Sequence, residues 1–372
     1  MYITVLCKVV DNFGDIGVAW RMCRRLSKIQ NKYKICLIVD DLVSFSKINN
    51  NVDVNKSVQT VEDVEVFLWN DNEICSCEFS KNDGERLGII LECFQCGRPE
   101  WMEQILFEKK LNRTVHIIMI DYLTAEKYAE DFHCLKSLTR SAKVQKVNFM
   151  PGFTEKTGGL IIDDEWLNLP EYDENGPVLV FTYDNPCSRS LLEELFKLHL
   201  NRKILLTQGR AAPMEFADSC ESLPYMPMTE WDKMMKKCSA LVIRGEESMS
   251  RACLSGIPFI WQAYPQTEEY QLVKVKALLE RMKPHFDEAM FAILERAWMF
   301  VNVDCHALCA RNDKNVSLRG ANAVSDVAIQ NFLDCLPSLR PGFVSFAQSL
   351  RKNGDLCCNL MTFINNIDII LQ

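Results

Sequence analysis

A chain of 372 residues exceeds the usual size of a single hydrophobic core, so we expect two domains. Its 48% hydrophobic and 25% charged residues are typical of globular proteins and exclude the disordered and fibrous classes. The 50 acidic residues outnumber the 42 basic ones, and this net charge of −8 disfavours a nucleic acid as the main partner.

The first ten residues are mostly apolar, but Asp11 follows them directly, without a basic leader or a small-residue cleavage site. No run approaches the ~18 to 20 apolar residues that a membrane helix needs. The 17 cysteines are an odd number and lie scattered through apparent core segments, which is typical of a reducing compartment. We therefore expect a cytoplasmic protein with no membrane partner. The cysteine spacings lack a full set of metal ligands, so no metal site is expected.

Short β-rich runs alternate with helical patterns through most of the chain, which predicts an α/β fold with parallel sheets. The strands fall into two series, so two sheets are expected. The first series is Ile3–Val10, Ile35–Val39, Val64–Trp69, Ile89–Phe94 and Val115–Ile120. The second series is Pro177–Tyr183, Lys203–Thr207, Ala240–Arg244 and Pro258–Gln262.

An acidic, proline-containing stretch over residues 163–176 separates the two series and predicts a linker. We thus expect an amino-terminal domain over 1–162 and a carboxyl-terminal domain over 177–342. The pattern after Lys283 is helical, and Phe343–Asn366 predicts amphipathic helices broken near Asn353-Gly354. Such a tail often packs back on the first domain of a two-domain enzyme, so we expect residues 343–372 to complete that domain.

The loop Asp11–Gly17 joins the first strand to a helical pattern. Ligands of open α/β sheets bind at such carboxyl ends of strands. The dinucleotide fingerprint GxGxxG is missing, and Asp15 within the turn would repel a pyrophosphate. A cationic or proton-donating substrate suits the loop better. Aspartate is also a common helix cap, and one of Asp11 and Asp15 could have that function alone.

A second strand-turn-helix pattern follows Ala240–Arg244, where Glu246, Glu247 and Ser248 open a short helix. A helix amino terminus binds phosphate well, and Arg244 with Ser248 would favour a diphosphate. A carboxylate there can accept hydrogen bonds from sugar hydroxyls. Alternatively, the two glutamates only complement the helix dipole.

Aromatic residues lie near the same segment in the sequence and are candidates for stacking on a nucleotide base. They are Phe181, Tyr183, Tyr225 and Trp231. Strand aromatics are more often part of a core, and this reading is strongest for Phe181.

Four blocks of the sequence, in this order, resemble the EarP family, the rhamnosyltransferases that modify an arginine of bacterial elongation factor P. The blocks are Val9–Arg21 (VVDNFGDIGVAWR), Pro151–Leu160 (PGFTEKTGGL), Arg244–Ser248 (RGEES) and Pro258–Gln266 (PFIWQAYPQ). The resemblance covers residues 1 to about 270 and is plausible to the end. Glu247 departs from the aspartate usual in the family, and Met228 stands where a base-reading glutamine is expected.

The resemblance implies a GT-B fold, with two Rossmann-like domains that face a central cleft. It also implies inverting transfer of rhamnose from dTDP-β-L-rhamnose to an arginine of elongation factor P, which activates the factor to rescue polyproline-stalled ribosomes. No cofactor or metal is implied. By analogy, Asp11 and Asp15 activate the acceptor and Glu246 acts on the donor side. The implied donor-binding residues are Phe13, Gly14, Phe181, Tyr183, Tyr225, Arg244, Glu247, Ser248 and Tyr264.

Arginine is a poor nucleophile because its guanidinium is delocalised and stays protonated. One carboxylate could hold the guanidinium while the other accepts a proton during attack. We assign the base to Asp15 and the orienting function to Asp11, although the reverse order is chemically possible. Arg244, Ser248 and the helix amino terminus would stabilise the departing dTDP.

Three other functions remain as alternatives. A GT-B transferase with a glycan or small-molecule acceptor would share the donor half. A nucleotide-binding or interaction module without catalysis agrees poorly with acids at both strand ends. A dehydrogenase is disfavoured by the missing glycine fingerprint.

Overall fold

The computed structural model describes the chain except residues 11–12, 30–31, 109–110, 184–185, 199–201, 208–218, 304–326 and 371–372. The chain forms two compact units: unit 1 is Met1–Asp164 with Arg351–Gln372, and unit 2 is Glu165–Leu350. Residues 165–176, expected within the linker, are thus part of unit 2, where Trp166 is fully buried. The return to unit 1 occurs at Arg351, not at Phe343.

Unit 1 contains an eight-stranded sheet with helices between most of its strands. The strands are β1 (Tyr2–Cys7), β2 (Lys34–Val39), β3 (Val58–Val61), β4 (Val64–Leu68), β5 (Ile89–Cys93), β6 (Val115–Ile120), β7 (Lys136–Ser137) and β8 (Val144–Phe149). The helices are α1 (Gly14–Ile29), α2 (Leu42–Ile48), α3 (Asn72–Ser80), α4 (Glu100–Phe107) and α5 (Tyr128–Phe132). The sheet order is β3-β4-β2-β1-β5-β6-β8-β7, and only the two edge strands β3 and β7 run antiparallel to their neighbours.

Unit 2 contains a five-stranded parallel sheet in the order β11-β10-β9-β12-β13. Its strands are β9 (Val178–Val180), β10 (Ile204–Leu206), β11 (Cys220–Ser222), β12 (Ala240–Arg244) and β13 (Phe259–Gln262). Its helices are α6 (Pro186–Lys197), α7 (Met228–Lys236), α8 (Glu246–Ser255), α9 (Tyr270–Met282), α10 (Glu288–Asn302) and α11 (Leu336–Lys352). The last helix, α12 (Leu356–Ile370), belongs to unit 1.

The predicted break near Asn353-Gly354 is confirmed, since α11 ends at Lys352 and Gly354 has φ +84°. An L side chain rarely adopts this backbone conformation, so glycine suits the turn. Asp355 then anchors α12. Its Oδ1 accepts from the N–H of Ile162 at 2.8 Å, and its Oδ2 lies 3.0 Å from Nε of Arg25. The tail is therefore bound to unit 1 by a buried carboxylate.

Each sheet has a point where the strand order reverses. In unit 1 the chain runs from β1 outward to β2 and β4, and then returns to β5 on the other side of β1. In unit 2 it runs from β9 to β10 and β11, and then returns to β12 beside β9. Ligands of open α/β sheets bind outside the carboxyl ends of strands at such points. The fold thus marks the segments after β1 and β5 in unit 1, and after β9 and β12 in unit 2.

Apolar strands account for this arrangement, because parallel strands are buried on both faces. Residues of β2, β5 and β6 such as Leu37, Leu91 and Ile118 are fully buried.

The first strand is shorter than the expected Ile3–Val10. It ends at Cys7 because side chains, not a neighbouring strand, bind the N–H groups of Val9 and Val10. Among the residues described, no helix combines the length and apolar character needed to cross a membrane.

Candidate active site

The turn between β1 and α1 is held by aspartate side chains. Asp15, the second residue of α1, is 2% exposed, and its Oδ2 accepts from the N–H of Val10 at 2.9 Å. Asp40, just after β2, accepts from the N–H of Val9 at 2.9 Å. The carboxylate of Asp15 is therefore fixed in position at the reversal point of unit 1.

The neighbouring residues named from the sequence are only partly described. Asp11, expected to orient the acceptor, lies outside the described residues. Phe13 is half-buried, and its carbonyl accepts from the N–H of Gly17 at 2.9 Å. Gly14 is the first residue of α1. Phe13 and Gly14 thus form the turn itself.

The arginines of α1 are held by carboxylates away from the turn. Arg21 is 1% exposed and pairs with Asp163 at 2.5 Å. Arg24 pairs with Glu62 at 3.0 Å. Both cations therefore have carboxylate partners within unit 1.

Two thiols lie beside Asp15. Burial, and then the charge of Asp15, raise the pKa of Cys7 well above its usual range. The pKa of Cys93, at the end of β5, is also raised, chiefly by burial. Both side chains therefore stay neutral thiols, and neither is suited to act as a nucleophile.

The segment after β5 contains the Cys93–Cys96 spacing, which we attributed to chance from the sequence and did not assign to the site. Phe94 and Gln95 both have positive φ values, 55° and 54°, which is costly for residues other than glycine. The ring of Phe94 stacks on Tyr122 with centroids 4.7 Å apart, and Gln95 donates to Asp121 at 3.2 Å. Since β5 is next to β1, this strained segment borders the Asp15 turn. No sequence signal marks left-handed backbone at such residues.

Arg244 lies at the reversal point of unit 2 between two aromatic rings. Its guanidinium carbon is 4.7 Å from the ring centre of Phe181 and 4.5 Å from that of Tyr183. Phe181 also meets Trp231 edge-on at 5.0 Å, and Tyr183 meets Tyr264 edge-on at 5.4 Å. A continuous chain of contacts therefore joins four of the predicted donor-side residues and Trp231. Phe181 is half-buried, so it is not simply a core residue.

The helix α8 presents its amino terminus at the same place. Gly245 precedes it with φ +75°, and Glu246 and Glu247 form its first turn. The Ser248 hydroxyl accepts from Nε1 of Trp231 at 3.3 Å. The first backbone N–H groups of a helix have no partners within the helix, so this ten-residue helix can offer them to an anion at the turn after Arg244.

Each acid of this turn lies near a cation. Glu246 Oε1 is 3.5 Å from Lys274 Nζ of α9, and Glu247 Oε1 is 3.5 Å from Arg251 Nε. Arg251 is 1% exposed. The Glu247 carboxylate therefore lies along α8 near Arg251, four residues later in the same helix. It also complements the dipole of the helix. Neither cation was assigned a function from the sequence.

Two of the predicted aromatic residues are largely exposed. Tyr264 is 59% exposed and Tyr225 is 47% exposed. Met228, at the start of α7, is only 6% exposed, so its side chain packs inward. Within the described ranges, no group of three or more His, Cys, Asp or Glu side chains is arranged to bind a metal ion.

Gln262, at the end of β13, is a further residue that sequence reasoning missed, although it lies in a quoted block. It is 1% exposed and accepts from the N–H of Tyr183 at 2.8 Å. Its amide donates to Ser188 at 3.0 Å and to the carbonyl of Val301 at 3.3 Å. Gln262 thus fixes the segment that carries Tyr183.

Comparison with known proteins identifies the family. The family model described as Elongation-Factor P (EF-P) rhamnosyltransferase EarP matches residues 3–365. The chain belongs to this family. A protein-arginine rhamnosyltransferase of Pseudomonas aeruginosa is 30% identical over 315 residues, which cover 74% of this chain and 80% of that relative. The resemblance in the four sequence blocks is confirmed, and the chain is a glycosyltransferase.

Solved structures agree on the fold. One, described as the structural basis for EarP-mediated arginine glycosylation of translation elongation factor EF-P, matches with a TM-score of 0.58 at 17% identity, covering 98% of this chain and 99% of that one. The spinosyn rhamnosyltransferase SpnG matches with a TM-score of 0.53 at 9% identity, covering 98% of this chain and all of that one. The predicted α/β class, a GT-B fold with two Rossmann-like units, is confirmed.

Proposed function

We propose that this enzyme transfers L-rhamnose from dTDP-β-L-rhamnose, with inversion at the anomeric carbon, to an arginine of elongation factor P in the cytoplasm. The observation that carries the proposal is the family match over residues 3–365. The relative from Pseudomonas aeruginosa is named a protein-arginine rhamnosyltransferase. The contacts at the two reversal points support the same chemistry, each for one half of the reaction.

The acceptor half is assigned to the turn of unit 1. A protonated guanidinium needs a carboxylate partner, and Asp15 supplies one whose orientation is fixed by the N–H of Val10. As the guanidinium nitrogen bonds to the anomeric carbon, the bond from that carbon to the diphosphate breaks and dTDP leaves with the electron pair. Asp15 accepts the proton that the nitrogen loses. Asp11 is proposed to hold the guanidinium.

The donor half is assigned to the reversal point of unit 2. Arg244 is oriented by Phe181 and Tyr183 and would pair with the diphosphate. Because Ser248 accepts from Trp231, its own hydroxyl proton is directed elsewhere and suits a phosphate oxygen. Glu246 would accept from sugar hydroxyls. Arg244, Ser248 and the N–H groups of α8 would together stabilise the leaving dTDP without a divalent metal.

The remaining donor-binding residues are assigned as follows. Tyr225 and Tyr264 would contribute aromatic surface to the nucleotide. Glu247 would support the turn from its contact with Arg251. Phe13 and Gly14, in the turn of unit 1, are assigned to donor binding by the family resemblance.

A transfer assay tests the proposal. Purified enzyme is incubated with elongation factor P and dTDP-β-L-rhamnose, and the intact mass of the acceptor is measured. We expect a gain of one deoxyhexose, which peptide fragmentation assigns to an arginine, and an unchanged rate in EDTA. Elongation factor P with that arginine changed to lysine is the matched control and should gain nothing.

The same assay separates the alternatives. Transfer from UDP-sugars but not from dTDP-rhamnose would contradict the proposed donor. Transfer to small hydroxylated acceptors but not to elongation factor P would indicate a glycan or small-molecule transferase. Donor binding without any turnover would indicate a binding module. NMR of the glycosylated peptide reports whether the linkage is inverted.

A further inference from the structure

The first turn of α8 combines charges that would repel a diphosphate. Glu246 and Glu247 are both acidic, and the proposed function adds a diphosphate at the same helix end. The partial positive charge of a helix amino terminus is about half an elementary charge, too little to offset two carboxylates. The cations beside the two acids therefore decide whether the turn can accept an anion.

The cation near Glu247 is fixed. Arg251 belongs to the same helix, is 1% exposed, and donates to the Ser250 hydroxyl at 2.8 Å. Its guanidinium also lies 5.9 Å from the ring centre of Trp166. A side chain held this way stabilises α8 whether or not a donor is bound.

The cation near Glu246 comes from another helix. Lys274 lies on α9 and is 27% exposed, so its ammonium has access to the solvent-facing side of the turn. A hydrogen bond holds the first turn of α9 to the segment before it, because the side chain of Gln271 accepts from the N–H of Gln266 at 3.0 Å. Lys274 follows Gln271 by three residues and so lies on the same side of α9. The pairing with Glu246 is therefore built into the fold of unit 2.

We propose that Lys274 is a donor-positioning residue: it holds the Glu246 carboxylate and offsets its charge, so that the diphosphate of the donor can bind at α8. This inference rests on the proposed function. Partly exposed ion pairs add little to folding stability, so the loss of Lys274 should spare the fold. With a diphosphate bound at this helix end, loss of the Lys274 charge makes Glu246 more repulsive toward it, and we expect about a 3- to 10-fold loss of donor affinity, on the order of a surface interaction.

The test compares lysines of one helix. Binding of dTDP is measured by calorimetry for the wild type, Lys274→Met, Lys274→Arg and Lys276→Met, with steady-state transfer as a second readout. Lys276 is exposed on α9 and is the matched control for the loss of one positive charge. We expect Lys274→Met to raise Kd for dTDP and KM for the donor about 3- to 10-fold, with kcat and the acceptor KM nearly unchanged. Lys276→Met and Lys274→Arg should bind as the wild type does.

A Glu246→Gln background separates positioning from direct phosphate binding. If Lys274 acts by offsetting the Glu246 charge, Lys274→Met should cost less than about twofold in dTDP affinity once Glu246 is neutral. An equal loss in both backgrounds would overturn the inference, as would identical binding by Lys274→Met and Lys276→Met. A wild type that binds neither dTDP nor dTDP-rhamnose would instead overturn the proposed function, and this inference with it.

Discussion

The reversal points of the two units have the same topology but opposite chemistry. In unit 1 the turn after the first strand is closed by carboxylates, of which Asp15 is buried and Asp40 binds the adjoining backbone. In unit 2 the corresponding edge carries Arg244 between aromatic rings, and the acids that follow it lie near cations. One edge is suited to a cationic ligand and the other to an anionic one.

This difference indicates how a doubled architecture can serve a reaction with two unlike substrates. The backbone supplies the same feature twice, namely a turn at the carboxyl ends of parallel strands. The side chains then decide which charge each turn accepts. Under the proposed function, the arginine acceptor and the diphosphate donor match these preferences.

The largest effect is expected for Asp15→Asn. The amide oxygen can still accept from the N–H of Val10, so the turn should keep its shape, but the amide cannot take a proton. We expect kcat to fall by about 10²- to 10⁴-fold, the usual contribution of a general base, with small changes in either KM. The rate is measured by mass spectrometry of the acceptor.

The matched control is Asp41→Asn at the same edge of the sheet. Asp41 caps α2 by accepting from Val43 and Ser44 at 2.9 Å, and asparagine caps a helix equally well. Its activity should stay within about twofold of wild type, since a cap substitution of this kind is nearly neutral. Near-normal turnover by Asp15→Asn would contradict the assignment of Asp15 as the base and would favour the reverse order, with Asp11 as the base.

Arg244→Met should give the next largest effect. Loss of the guanidinium removes the charge proposed to bind the diphosphate, and we expect about a 10²-fold fall in kcat/KM for the donor. Arg244→Lys keeps the charge but lacks the planar group that lies between Phe181 and Tyr183, so it should recover only part of the activity. Initial rates over a range of donor concentrations give both values.

The exposed Arg296 on α10 provides the surface control for this pair, and Arg296→Met should behave as the wild type does. Full activity of Arg244→Lys would mean that charge alone matters at this edge. The two reversal points would then differ in the charge of the ligand that they accept, and the aromatic rings would not contribute to that difference.

Asp355→Ala should destabilise the fold. Asp355 is buried near Arg25 and accepts from the N–H of Ile162, so its removal leaves a half-buried cation and an unpaired donor. We expect a loss of about 3 kcal/mol in the free energy of unfolding, measured in urea. The control is Asp164→Ala, which removes a 52% exposed partner of the same arginine and should cost less than about 1 kcal/mol. If both variants lost the same free energy of unfolding, the burial of Asp355 would not explain its contribution to stability.

The smallest effect is expected for Tyr264→Ala. The ring is 59% exposed and meets Tyr183 edge-on, and such pairs contribute about 1 kcal/mol. The donor KM should therefore rise about threefold to tenfold, while Tyr264→Phe should be nearly neutral. If both variants lose the same affinity, the hydroxyl and not the ring contributes to donor binding.

The sequence predicted the central strands well and the edge strands poorly. The bounds Val115–Ile120 and Ala240–Arg244 agree with the structure because these runs are apolar and continuous. The short edge strands β3, β7 and β11 carry mostly polar or exposed residues, and the alternating run of β8 was also missed. Their pairing depends on neighbours that a local pattern does not contain.

The candidate site was predictable where it depends on local order. Asp15 and Arg244 each follow a strand at a turn that opens a helix, and this order is visible in the sequence. The partners were not predictable. Lys274 is 28 residues from Glu246, and Asp355 is 330 residues from Arg25, so only the folded chain brings each pair together.

The attachment of α12 to unit 1 also bears on the order in which the protein is built. The ribosome synthesises α12 after all of unit 2, yet Arg25 and Ile162, which bind Asp355, are made long before it. Domains usually fold one after another as they emerge. Here unit 1 begins to form first but is completed last, so the surface of unit 1 that α12 covers stays uncovered while unit 2 is translated.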